Sequence, residues 1–138
     1  MNYLFDTNTV IALLADRPPA VRRRFHAVAP QASGVWVSSI VLFELWYGVA
    51  RSQHRERNSE RLRTFLAGKI DVLHFAEEDS ATAGALRADL ERVGTPIGPY
   101  DLLIAGQALR AGATLVTANV REFSRISGLV WEDWTQAA

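Results

Sequence analysis

The chain has 138 residues, 49% of them hydrophobic, with 15 Lys plus Arg balanced by 15 Asp plus Glu for a formal net charge of zero. That length predicts one domain, residues 1–138, burying about two-thirds of its unfolded surface. The absence of cysteine excludes disulfides, zinc-thiolate sites and thiol nucleophiles, and the charge balance argues against a strongly basic nucleic-acid binder of the usual kind.

In chain order, Asn2 to Phe5 reads as a first strand, after which Thr7 or Asn8 can cap a short helix over Val10 to Leu14. Pro18 and Pro19 start a second helix whose inward stripe is Val21, Phe25 and Val28. Val35 to Val37 is a second strand, and Ser38 or Ser39 caps a long helix running through Glu44 to about Arg51. Asn58 to Ala67 is helical, with Leu62, Phe65 and Leu66 inward and Gly68 as the stop. A third strand spans Asp71 to Phe75, followed by an amphipathic helix from Glu77 to Val93 with Ala83, Leu86, Leu90 and Val93 inward. Gly94, Pro96, Gly98 and Pro99 form a turn-rich connection. Pro99 then opens a helix that is apolar nearly all round through Leu109, the mark of a buried helix. Thr114 to Thr117 is a fourth strand, Asn119 to Phe123 a short helical turn, and Leu129 to Trp131 an edge strand. Such alternation predicts an α/β fold, a mainly parallel sheet of four to five strands covered by helices on both faces.

Three acidic residues stand where carboxylates are least expected. Asp6 closes the apolar run Tyr3-Leu4-Phe5, Glu44 interrupts Ile40 to Tyr47, and Asp101 opens Leu102 to Ala105. A buried carboxylate costs several kcal/mol unless it is paired, hydrogen-bonded or metal-bound. No lysine is near any of them, Lys69 being the only one in the chain. A shared hard divalent cation is the economical reading, and with it phosphate chemistry. Sites in open α/β sheets gather beyond the carboxyl ends of strands. Asp6 follows the first strand, Asn119 follows the fourth, and Glu44 and Asp101 lie on helices that enter at the same edge.

Each residue also has a purely structural alternative. Asp6 to Asn8 can cap a helix, Asp101 can favour a helix dipole, and Asn119 with Glu122 matches a capping box. Arg22, Arg23 and Arg24 form one basic knot, and Arg51, His54, Arg55, Arg57, Arg61 and Arg63 another. These are either solvated helix faces or phosphate-tracking surfaces, with Arg51, Arg55, Arg57 and Arg61 the candidate phosphate contacts. His26, His54 and His74 lack paired ligand spacing, and Trp131 and Trp134 are expected to pack the C-terminal segment.

The blocks Asp6-Thr7-Asn8, Glu44 in its apolar helix, Gly98-Pro99-Tyr100-Asp101-Leu102-Leu103-Ile104-Ala105, Leu115 to Phe123 and Gly128-Leu129 occur in that order over nearly the whole chain. Together they resemble PIN-domain ribonucleases, and among them the VapC toxins of bacterial toxin–antitoxin pairs. The resemblance implies a three-layer α/β/α PIN fold and Mg²⁺- or Mn²⁺-dependent endoribonuclease activity, in which a metal-activated water attacks the RNA phosphodiester. It also implies homodimerisation and a VapB-type antitoxin partner. By position, Asp6, Glu44 and Asp101 match the family's acidic triad and its metal ligands. Asn119 falls where many PIN domains carry a fourth aspartate, so either Asn119 or Glu122 takes that catalytic role, with one or two metals bound. Thr7 and Thr117 match supporting hydroxyl positions.

No run approaches the roughly 18 apolar residues of a membrane span. The N-terminal apolar stretch lacks a basic lead and is broken by Asp6, so no signal peptide is expected and the cytoplasm is the predicted compartment. Two rivals stand beside the nuclease reading. One is a non-catalytic PIN-fold binding module, favoured by Asn119. The other is a haloacid-dehalogenase-like phosphatase, suggested by Phe5-Asp6-Thr7-Asn8 but lacking the second aspartate that such enzymes need at position 8.

Overall fold

A computed structural model describes residues 1–136; the last two positions of the expected 1–138 domain lie outside the described residues. The chain alternates strand and helix as its patterning predicts: β1 (Asn2–Phe5), α1 (Thr7–Ala15), α2 (Pro19–Val28), β2 (Gly34–Ser38), α3 (Ser39–Ala50), α4 (Arg55–Leu66), β3 (Asp71–Leu73), α5 (Glu77–Arg92), α6 (Pro99–Ala111), β4 (Thr114–Val116), α7 (Val120–Phe123) and β5 (Trp131–Glu132). All four strand pairings are parallel, in the order β3-β2-β1-β4-β5. Helices cover the sheet, which is why the central strands carry unbroken apolar runs. Leu4, Phe5, Leu115 and Val116 are buried, while the edge strands β3 and β5 are short and partly exposed. Among the described residues, no helix is long and apolar enough to cross a membrane.

The strand order decides where a site can form. From β1 the chain winds one way through β2 to β3, then crosses back to β4 and β5 on the other side of β1. The crevice between the carboxyl ends of β1 and β4 is therefore the topological switch point, the usual place for a ligand in an open α/β sheet. Both strands are locked there in register, with Phe5 opposite Val116. The Asp6 amide donates to the Val116 carbonyl at 3.2 Å. The Thr9 hydroxyl donates to the same carbonyl at 2.8 Å, fastening α1 to β4.

Several expected boundaries move, each for a visible reason. α1 begins at Thr7 because Asp6, rather than Thr7 or Asn8, is its cap: Asp6 Oδ1 accepts from the Thr9 amide at 2.8 Å. α4 starts at Arg55, three residues before the expected Asn58, whose amide already donates to the His54 carbonyl. β3 stops at Leu73, and the Phe75 amide turns to the Ser39 hydroxyl at 3.0 Å. The last strand pairs through Val130 and Glu132, so it sits at Trp131–Glu132, later than Leu129 to Trp131, while Leu129 turns inward. Val93, expected inward, is 70% exposed because α5 ends at Arg92 and Val93 is its C-cap, followed by Gly94 at φ 75°. Trp134 packs as expected, its ring 5.3 Å from Phe5 and 5.6 Å from Tyr3.

α6 is the buried helix that its all-round apolarity predicts, with Leu102, Ile104, Ala105 and Ala108 in the core. Gly106 lets α5 approach: a Cβ there would meet the Ala83 Cβ at 2.8 Å. Gln107 ties the helix to the sheet, donating to the Leu73 carbonyl at 2.9 Å. Gly106→Val should therefore overpack the α5–α6 contact and cost about 3 kcal/mol. A urea unfolding midpoint within error of wild type would contradict this.

Candidate active site

Asp6 leaves the buried end of β1 and is itself buried. Burial pushes its carboxyl above the ordinary carboxylate range, hydrogen bonds from Thr117 and Thr9 pull it back, and the negative charge of Asp133 adds to the rise. Glu44 lies one turn into α3, half-buried, and accepts a 2.8 Å hydrogen bond from the Thr7 hydroxyl on α1. Asp101 stands in the first turn of α6 and accepts from Asn119 Nδ2 at 3.2 Å. Glu122, on α7, accepts from the Gly98 amide at 3.2 Å, which brings it to the N-terminus of α6.

These side chains share one electrostatic environment. The Asp101 carboxyl is pushed up to about 6, first by burial, then by a hydrogen bond with Glu122, and then by the charges of Glu122, Asp6 and Glu44. A Cβ built on Gly98 would lie 3.8 Å from both Asp101 Oδ2 and Glu122 Oε1, so the two carboxyls flank the same spot. Among the described residues, none of these four acids has a salt-bridge partner. Nor do any three acidic or histidine side chains there close into a ready-made metal cage. The result is a set of acidic side chains whose negative charge no ion pair among the described residues balances. Such a donor set suits a hard divalent cation that keeps most of its water.

The expected capping box on α7 does not form. Asn119 makes no side-chain cap; its backbone amide donates to Thr117 Oγ1 at 2.9 Å. Both Asn119 and Glu122 instead turn toward α6. An aspartate at 119 would repel Asp101, whereas the amide donates to it. Asp133, just beyond β5, and Thr9 were not singled out in the sequence, although both act on Asp6. The signal for Asp133 was the one that flagged Asp6, an acid directly after a strand; placing the last strand too early hid it.

The basic residues scatter more. Arg22 bonds the Leu13 carbonyl at 2.6 Å, and Arg24 pairs with Glu132 at 3.4 Å, so that knot serves the fold. Arg61 donates to the Leu14 carbonyl, tying α4 to α1. Arg55 and Arg57 line an open cleft between α3 and α4, and the Arg51 guanidinium lies 5.6 Å from the Tyr47 ring.

A PIN-domain family model matches residues 3–129. The chain is 40% identical to the tRNA(fMet)-specific endonuclease VapC of Salmonella typhimurium over 134 residues, covering 97% of this chain and 98% of that protein. The chain belongs to the VapC ribonuclease family of PIN domains. Ribonuclease VapC2 of Rickettsia felis is 38% identical over 97% of this chain and 98% of its own length. Among solved structures, Rickettsia felis VapBC2 bound to a promoter DNA fragment superposes with a TM-score of 0.89 at 36% identity, covering 96% of this chain and 98% of that one. DNA-bound VapBC from Salmonella typhimurium gives 0.88 at 40% identity, over 97% of this chain and 98% of that one. The expected PIN-like three-layer fold is thus the observed one. The phosphatase alternative finds no support: Asn8 occupies the position of its second aspartate and lies exposed on α1.

Proposed function

We propose that this VapC-family protein is a divalent-metal-dependent endoribonuclease, the toxin of a pair with a VapB-type antitoxin, acting in the cytoplasm. The observation that supports the reading is that the charges of Glu122, Asp6 and Glu44 all act on the Asp101 carboxyl, so that four acids from separate parts of the chain share one electrostatic environment. Family membership adds independent support. The names of the relatives, tRNA(fMet)-specific endonuclease and ribonuclease, and the VapBC assemblies among similar structures make RNA and a VapB-type partner the first candidates.

Asp6, Glu44 and Asp101 would hold the cation, with Glu122 the fourth acidic group. When bound, Mg²⁺ or Mn²⁺ supplies Lewis acidity for phosphodiester hydrolysis and offsets charge developing on the phosphate. The protein's own contribution is positioning. Thr9 and the start of α1 fix the Asp6 carboxylate, Thr7 fixes Glu44, and Asn119 fixes Asp101 by donating to its Oδ2. Thr117, at the end of β4, both supports Asp6 and accepts from the Asn119 amide. Mounting these groups on strand ends and helix starts limits their reorganisation when substrate arrives.

The test uses the purified protein with single-stranded RNA and with initiator tRNA. Cleavage leaving 5′-phosphate ends is expected with Mg²⁺ or Mn²⁺, lost with EDTA, and restored when the metal is returned. Cleavage that persists undiminished in EDTA, or none with either metal, overturns the reading.

A further inference from the structure

Thr9 and Thr117, which hydrogen-bond the Asp6 carboxylate, also line a cavity of about 210 Å³ that the nuclease reading leaves unused. Its other polar residues include Asn8, Arg17 and Asp133, and apolar side chains of α1, α2 and the C-terminal segment complete its walls. Strand register explains why the cavity lies beside Asp6. Phe5 pairs with Val116 and Val116 with Glu132, so the next residues, Asp6, Thr117 and Asp133, stand side by side at the carboxyl ends of β1, β4 and β5. At about 4.8 Å between strands, Asp133 lies roughly 10 Å from Asp6, within the reach of one nucleotide. Its carboxylate is held in place, Oδ1 accepting from the Thr135 amide at 2.9 Å and the Thr135 hydroxyl at 2.5 Å. Oδ2 has no partner among the described residues, and neither Asp133 nor Arg17 is in an ion pair there. Asn8 is exposed on α1, and its side-chain amide can both donate and accept.

We propose that this cavity receives the base of a nucleotide flanking the scissile phosphate, and that Asp133 selects a base carrying an exocyclic amine. The proposal rests on the nuclease reading, which puts that phosphate at Asp6. A carboxylate can only accept hydrogen bonds, so Asp133 needs a donor opposite it. Adenine, cytosine and guanine each offer an amine. Uracil presents a carbonyl oxygen where cytosine has its amine, and two acceptors repel. Asn8 can pair with a second atom of the base edge, and the Arg17 guanidinium suits a neighbouring phosphate. Apolar walls with a few fixed polar groups are the usual make-up of a small-ligand site. The charges favour a nucleotide over a basic protein side chain: an Arg or Lys would match Asp133 but meet Arg17 as a like charge. Bases that enter such a site must be unpaired, so loops are cut in preference to duplex RNA.

The experiment compares wild type with Asp133→Asn on short single-stranded RNAs in Mg²⁺, once the cleaved bond has been mapped. Each nucleotide flanking that bond is exchanged between cytosine and uracil, which share a shape and differ in the amine. At one flanking position wild type should favour cytosine about tenfold in kcat/KM, the lower end for one base contact. Asp133→Asn, whose amide can donate to the uracil carbonyl, should bring that ratio to within about twofold of unity. A disturbance of Asp6 or of folding lowers both substrates alike and leaves the ratio at its wild-type value. In EDTA, amide NMR of wild type should show cytidine shifting Asn8, Thr117 and Asp133 at lower concentration than uridine. The proposal is overturned if wild type shows no preference at either flanking position, or if the preference survives in Asp133→Asn. It is equally overturned if cytidine shifts none of those amides, and the wild-type comparisons decide this whether or not the variant folds. Cytidine that shifts them in a protein that cuts no RNA refutes the nuclease reading and leaves the base site standing.

Discussion

Asp101→Asn is expected to lower kcat/KM for RNA cleavage roughly 10³-fold, the scale for removing one group that stabilises charge in a transition state, while making the metal-free protein more stable. The second effect follows from the electrostatics of the acidic side chains. The folded chain holds the Asp101 carboxyl at about 6, above its ordinary value of 3.8, because of burial and the charges of Glu122, Asp6 and Glu44. Between those two pH values the folded chain keeps a proton that the unfolded chain has released. Stability contributed by this group is therefore intact below about pH 3.8, falls as pH rises toward 6, and stays reduced above it. An asparagine carries no charge to be disfavoured. Its thermal midpoint should exceed that of wild type at pH 7.5 and converge with it near pH 4. Added Mg²⁺ should raise the midpoint of wild type more than that of the variant, because ligand binding to the folded state stabilises it by mass action. Calorimetry at the two pH values, with and without Mg²⁺, measures all of this. A variant that is less stable than wild type at pH 7.5 would mean that Asp101 serves the fold and that the repulsion among these acids has been misread.

A large loss of stability is expected at a site remote from the chemistry. Asp79 is fully buried, and its Oδ1 accepts from Arg110 Nε at 2.6 Å while Oδ2 accepts from the Ala76 amide at 2.6 Å. It therefore caps α5 and ties it to α6 at once. Asp79→Ala leaves the Ala76 amide without its cap and Arg110 without its counter-ion. Breaking a buried pair typically costs 3–5 kcal/mol, and because Arg110 is partly exposed the lower end applies, about 3 kcal/mol. For a chain of this length that corresponds to a fall of about 10 °C in thermal midpoint. Replacing both partners, Asp79→Leu with Arg110→Met, should recover much of the loss, since no charge is then left unpaired. A midpoint shift below about 2 °C for Asp79→Ala would show that water replaces the ion pair without difficulty. Because α6 carries Asp101, the remaining folded fraction also reports whether α5–α6 docking positions the site.

Several features were legible in the sequence for sound local reasons. Asp6 stood out because an ionisable group ended a strand with no polar face, and the structure places it at the sheet's switch point. α6 was legible because its apolar residues leave no solvent side. At Glu44 the structure corrects a premise of the sequence reading. The apolar residues around it imply burial, yet Phe43 and Tyr47 face solvent and Glu44 is only half-buried. Apolar composition reports that water is avoided on balance; it does not say whether the neighbour is the core or an external surface. Asn119 and Glu122 carry the opposite lesson. Their three-residue spacing satisfies a capping box, but a stronger set of partners lies across space on α6, and the side chains turn there.

Residue patterning alone determined that strands and helices alternate, that the inner strands are buried on both faces, and that isolated acids wait at element ends. Periodicity and capping are local, so they can be read from neighbours along the chain. Only the tertiary structure decided that β4 lies beside β1, that Asp133 enters the field around Asp6, and that Phe43 of α3 meets Tyr100 of α6. Those outcomes depend on which distant segments pack together, and no local preference of a strand or helix specifies its partner across the sheet.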